Sequence, residues 1–164
     1  MNRRGFTVVE LLIVIVVIAI LAATTVVAFN GIKRRADDTA RYADLVQVDR
    51  LIRPYRVQNG SYPVTDMTPG KITCIGTEFP TGYCWDGASQ TDQSVTNALK
   101  TVGNVPSGKL SITNYGTHIW IIDANSFELN GVFEDINCPK GFEQTEIYPG
   151  HTQCIKIYYI NEPV

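Results

Sequence analysis

An uninterrupted apolar run near the N-terminus constrains this chain more than any other feature. Residues 1–30 read MNRRGFTVVELLIVIVVIAILAATTVVAFN. Arg3, Arg4 and Gly5 precede the run, which carries a single charge, Glu10. No charged residue follows until Lys33. As a helix, the stretch from Leu11 to Ile32 rises about 33 Å, enough to span a bilayer core of about 30 Å. A lone carboxylate in such a run is costly in lipid unless it finds a partner. The segment therefore reads as a membrane anchor with one polar residue kept for a purpose.

Behind the anchor remain roughly 130 residues, enough for one small domain and not for two. Charge is uneven along them. Asn30 to Arg56 holds seven basic and four acidic residues, a net +3, whereas Val57 to the end holds five lysines and eleven acidic residues, a net −6. An acidic head argues against nucleic acid as its partner, because phosphate binding needs clustered positive charge.

The four cysteines, Cys74, Cys84, Cys138 and Cys154, all lie beyond the anchor. An even number in a small domain behind a membrane segment points to disulfides and an oxidising, extracytoplasmic location. Three pairings are open, with Cys74–Cys84 and Cys138–Cys154 favoured because they close short loops; unpaired buried thiols are the alternative. Zinc is disfavoured, since no C-x2-C pair occurs and His118 and His151 stand apart. No metal and no cofactor is expected.

The N-terminus admits three readings. A secretory signal peptide would use Arg3 and Arg4 as its basic region, with Ala22-Ala23 or Ala28 near the cut. Its apolar stretch is long for that, and Glu10 interrupts the start. An unprocessed single-pass anchor is the second reading. The third is a resemblance. Arg3-Arg4-Gly5-Phe6-Thr7-Val8-Val9-Glu10-Leu11-Leu12 resembles the processing site of type IV pilins and their relatives. The resemblance implies that a prepilin peptidase/methyltransferase cuts after Gly5 and methylates the new N-terminus, Phe6. It also implies that Glu10 directs assembly by pairing with the ammonium of an adjoining subunit. The chemistry agrees, because Phe6 and Glu10 are helical neighbours at i and i+4, and a carboxylate among apolar groups is driven towards a positive partner. Basic residues flank the anchor on both sides, so charge alone does not orient it. The cysteines and the resemblance place the N-terminus inside and the head outside.

Helical patterning resumes after Asn30-Gly31. Ala36, Ala40 and Ala43 share a face, followed by Leu45, Val48, Ile52 and Tyr55. One long helix is expected from about Phe6 to about Gln58, weakened or kinked at Pro54 and stopped by Asn59-Gly60. A heptad coiled coil over residues 32–58 is the structural alternative, but the stretch is short for one. Asn59-Gly60-Ser61-Tyr62-Pro63 is similar to the N-G-x-Y-P that ends the long helix in many pilins and pseudopilins. The chain lacks the Gly or Pro that many pilins carry in the membrane half.

Residues 61–108 are rich in Thr, Gly, Ser and Pro, and read mostly as loops, with Cys74–Cys84 stapling Phe79–Tyr83. Asp92 to Val102 reads as a short helix capped by Asp92 or Ser94 and ending at Gly103. Strands are expected at 110–115, 118–122, 127–133 and 153–160, an antiparallel meander of about four. Such a sheet must bury one face, and the amphipathic half of the helix is the obvious cover. The expected fold is thus α+β, a long N-terminal helix on an antiparallel sheet, which is also the fold the resemblance implies. Its segments are a leader (1–5), the membrane and filament-core half of the helix (6–30), its amphipathic half (31–60) and a stapled head (61–164).

Asp123, Asn125, Glu128 and Asn130-Gly131 invite comparison with a calcium loop, but the spacing departs from it and a hairpin turn is favoured. No nucleophile motif, phosphate loop or H-E-x-x-H occurs, so no enzyme is expected. The resemblance implies a structural subunit of a type IV pilus-like surface filament, with Leu11 to Val27 in its core. Other pilin subunits would be its partners, the cytoplasmic membrane would hold it before assembly, and the head would face a surface or host-cell ligand. The alternatives are a pseudopilin of a type II secretion or competence system, and a membrane-anchored or secreted binding domain that never assembles.

Overall fold

The computed structural model describes residues 7–76, 83–85, 88–89, 92–108, 115–134 and 136–162. Two compact units make up the chain, residues 1–35 and 36–164. Helix α1 runs from Val8 to Asn59. Among the described residues its part in the first unit has no core: the described large apolar side chains from Val8 to Ile32 stand exposed, Val8 by 83% and the best covered of them, Val16, still by 47%. A helix apolar all round is stable only in lipid or among other apolar helices.

In the second unit α1 turns one stripe inward. Leu45, Val48 and Ile52 are fully buried at helical spacing, with Tyr42, Leu51 and Tyr55 packed beside them. The helix continues through Pro54 to Asn59. Gly60 then takes a left-handed conformation (φ 71°), and its N–H reaches the carbonyl of Arg56 at 2.8 Å. The Asn59 amide donates to the carbonyl of Tyr55 at 2.9 Å. These bonds satisfy carbonyls that a helix end leaves open.

The head contains β1 (Ile72–Cys74), β2 (Tyr83–Trp85), β3 (Ala88–Ser89), α2 (Ser94–Lys100), β4 (His118–Asp123), β5 (Ser126–Phe133), β6 (Glu143–Tyr148) and β7 (His151–Tyr159). β2 and β3 pair by themselves, and the other strands form one antiparallel sheet in the order β1-β4-β5-β7-β6. The sheet is five-stranded, not four, and it is not a simple meander. After β5 the chain goes first to the outer edge as β6. It then turns at Pro149-Gly150 and returns as β7 between β5 and β6. The expected strand at 110–115 falls almost wholly outside the described residues, as does most of the loop 79–83.

Strand alternation sends Ile119, Ile121, Phe127, Leu129, Phe133 and Tyr158 into the core that α1 covers. Gly131 lies where helix and sheet come closest, since a Cβ there would sit 2.9 Å from Leu45 Cδ2. Polar groups fix the docking further. Asp49 accepts from Lys156 Nζ at 2.6 Å and from the Tyr158 hydroxyl. Asp38, fully buried and paired with Arg41, accepts the Glu134 backbone N–H at 3.1 Å. The disulfides are Cys74–Cys84 and Cys138–Cys154. They tie β1 to β2, and the chain beyond β5 to β7.

α2 is shorter than expected. Its N-cap is Gln93, which makes no side-chain cap bond, and the helix ends at Lys100. Asp92 still serves the start, accepting the Ser94 N–H at 2.8 Å. Lys71 bridges Asp92 and Asp66 at 2.9 Å each, which joins this start to the loop before β1.

Candidate assembly site on the N-terminal helix

The site begins with the end of a helix. The first turn of α1 leaves backbone N–H groups without intrahelical acceptors, and lipid offers none. Thr7 and Glu10 supply two of them reciprocally. Glu10 Oε2 accepts from the Thr7 backbone N–H at 2.8 Å and from the Thr7 hydroxyl at 2.7 Å. In return, the Glu10 N–H donates to Thr7 Oγ1 at 3.3 Å. This is a capping box, T-x-x-E, at the mouth of the apolar helix. Both bonds to the carboxylate use Oε2, so Oε1 has no partner among the described residues.

Sequence reasoning assigned Glu10 but missed Thr7. The signal was present, since Thr7-Val8-Val9-Glu10 has the capping-box spacing just before an apolar run. Farther along, the Thr25 hydroxyl donates to the carbonyls of Leu21 (3.0 Å) and Ala22 (2.9 Å), and that of Thr24 to Leu21 (2.9 Å). Neither hydroxyl therefore needs water. Gly5 and Phe6, the expected cleavage and methylation positions, lie outside the described residues.

The first 26 residues match the family model of the prokaryotic N-terminal methylation motif. That motif is the leader signature of type IV pilins. The chain therefore carries the mark of a pilin- or pseudopilin-type substrate, which implies processing by prepilin peptidase and assembly with other pilins. It points to a structural subunit rather than an enzyme, and with the apolar helix it fits membrane anchoring. The α+β fold, a long N-terminal helix on an antiparallel sheet, is pilin-like. No curated protein and no solved structure matches the chain significantly.

The other residues weighed for chemistry have local tasks. Asp123 Oδ1 accepts from the Asn125 N–H (2.7 Å) and the Ser126 hydroxyl (2.9 Å), which builds the β4–β5 turn. Asn130 is buried and accepts from the Gln153 amide at 2.8 Å, away from that turn. His118 is fully buried beside the Trp85 ring, with centroids 4.7 Å apart. Its Nδ1 lies 2.9 Å from the carbonyl of Gly116, so Nδ1 carries the proton. Burial pushes its pKa down to about 4, against the smaller upward pull of that carbonyl.

Proposed function

We propose that this chain is a structural subunit of a type IV pilus-like surface filament. It is cleaved after Gly5, methylated at Phe6 and polymerised through α1. The observation that carries this reading is one carboxylate, Glu10, set four residues after Phe6 in a helical stretch that has no other charge up to Ile32 and whose described apolar side chains have no cover of their own. Within the capping box, Oε2 is occupied and Oε1 is left to receive the ammonium of a neighbouring Phe6. Such pairing would set the axial register of packed subunits. Moving an apolar helix from lipid into a bundle sacrifices little solvation and gains close packing. The two disulfides support a reading in which the head lies on the oxidising side of the cytoplasmic membrane.

The test is the intact mass and N-terminal sequence of the protein from its native cells. A chain that starts at Phe6 and is one methyl group heavier than its sequence supports the reading. A start near Thr24 or Phe29 would mean ordinary secretion, and a start at Met1 an unprocessed anchor; either overturns it. The same processing serves pseudopilins, so loss of secretion or transformation with surface fibres intact would select that variant.

A further inference from the structure

On the second unit, every exposed charge carried by α1 is basic. Arg50 and Arg53 face solvent, whereas Asp37, Asp38, Asp44 and Asp49 are half-buried or buried. Val57, 69% exposed, continues the Arg50–Arg53 stripe one turn on. Solvation alone does not call for such sorting, because a solvated face ordinarily mixes signs.

A cleft of about 360 Å³ at the β6–β7 hairpin has the opposite character. Glu134, Gln144, Thr145, Glu146, His151 and Thr152 line it, with no lysine or arginine among the described lining residues. Glu134 Oε1 and His151 Nδ1 are buried and lack a hydrogen-bond partner among the described residues. That oxygen forms a long ion pair with Arg41 Nη2 at 4.0 Å, which is beyond hydrogen-bonding reach. A buried acceptor without a donor is destabilising, and native proteins rarely leave one so.

We propose that this cleft receives Arg50 and Arg53 from a second copy of the chain. A guanidinium carries five donors and no acceptor, which suits a lining of carboxylate, amide and hydroxyl oxygens. Arg50 and Arg53 of the same molecule do not reach the cleft. Its cleft lies level with Asp38 and Arg41 on α1, since Asp38 holds the Glu134 backbone. Arg50 and Arg53 lie about 18 Å farther along the helix, well beyond the reach of an arginine side chain. Two different surfaces meeting in this way make a heterologous contact, which is compatible with an open helical filament and differs from the self-complementary contact of a twofold dimer. The contact presupposes the polymer proposed above and gives the heads their own part in it, separate from Glu10.

The test uses charge reversal in the full chain in its native cells. We expect Arg53→Glu and Glu146→Arg each to reduce recovered filaments at least about tenfold, and the two together to restore most of the yield. Restoration also certifies that the variants fold. A second arm places Arg53→Lys in membranes and filaments, followed by a zero-length carbodiimide cross-linker. Covalent joining of position 53 in one copy to Glu134 or Glu146 in another supports the contact. Wild-type filament yield in both single reversals, or failure of the pair to rescue, overturns it, as does absence of that cross-link. If filaments vanish with Glu10→Ala yet survive both reversals, the polymer stands and this contact falls. If no filament forms at all, the cross-link in membranes still decides.

Discussion

Thr7 and Glu10 hold each other, so substitutions there separate the start of the helix from what the carboxylate does afterwards. Thr7→Val removes one donor to Oε2 and the acceptor for the Glu10 N–H. We expect it to loosen the first turn by about 0.5–2 kcal/mol, read as faster amide exchange at Glu10 in detergent micelles. Glu10→Ala should leave cleavage and methylation intact but eliminate filaments; filaments at wild-type yield would refute the pairing role. His118 makes a different prediction. Its folded pKa of about 4 lies below the unfolded value of 6.5, so the unfolded chain binds its proton first. The stability it contributes is complete above pH 6.5 and is lost as pH falls through 6.5 towards 4, to a total of about 3 kcal/mol. Asp66, held at about 2 by the Thr68 hydroxyl, by Lys71 and by the Thr68 N–H, acts only below about pH 4. Urea midpoints measured between pH 7 and 4 should therefore fall in the wild type and stay flatter in His118→Phe.

Between elements, the contact of α1 with the sheet turns on the absence of a side chain at Gly131. A methyl group there meets Leu45 Cδ2 at 2.9 Å and Phe133 Cζ at 3.2 Å, both within a closed core. Gly131→Ala should cost about 1–3 kcal/mol by overpacking, and Gly131→Ala with Leu45→Val should recover part of it in urea titrations. Equal additive losses would mean that the helix does not press on that strand. The helix was legible because its signals agreed: Leu45, Val48 and Ile52 keep helical spacing, and Asn59-Gly60 ends it. β4, β5 and β7 were legible through runs of β-branched and aromatic residues, as in His118-Ile119-Trp120-Ile121-Ile122. β6 was not. It is an edge strand whose Glu143, Gln144, Thr145 and Glu146 all face water, so no apolar alternation marks it. β1 is only three residues long and sits in a Thr- and Gly-rich stretch that reads as loop. Edge strands are held by pairing with a neighbour distant in sequence, and local pattern does not encode that partner.

Across the molecule, the two units differ in what completes them. Residues 36–164 enclose a core that includes Leu45, Ile119, Phe127 and Cys154, all fully buried, and two disulfides close around it. The described side chains of residues 8–35 enclose no core, and their stability must come from lipid or from other apolar helices. A chain that begins at Ala36 should therefore be soluble, melt cooperatively and retain both disulfides, while the full chain stays with the membrane fraction. Removing the Cys138–Cys154 link by substituting both residues with Ser should lower the stability of that soluble form by about 3 kcal/mol, as expected for a loop of 16 residues. The check is a pair of urea titrations beside sedimentation of the shortened and full chains. Aggregation of the shortened chain would mean that the head depends on the membrane half to fold. A soluble, cooperative head would confine the need for lipid and neighbours to the segment that Glu10 opens.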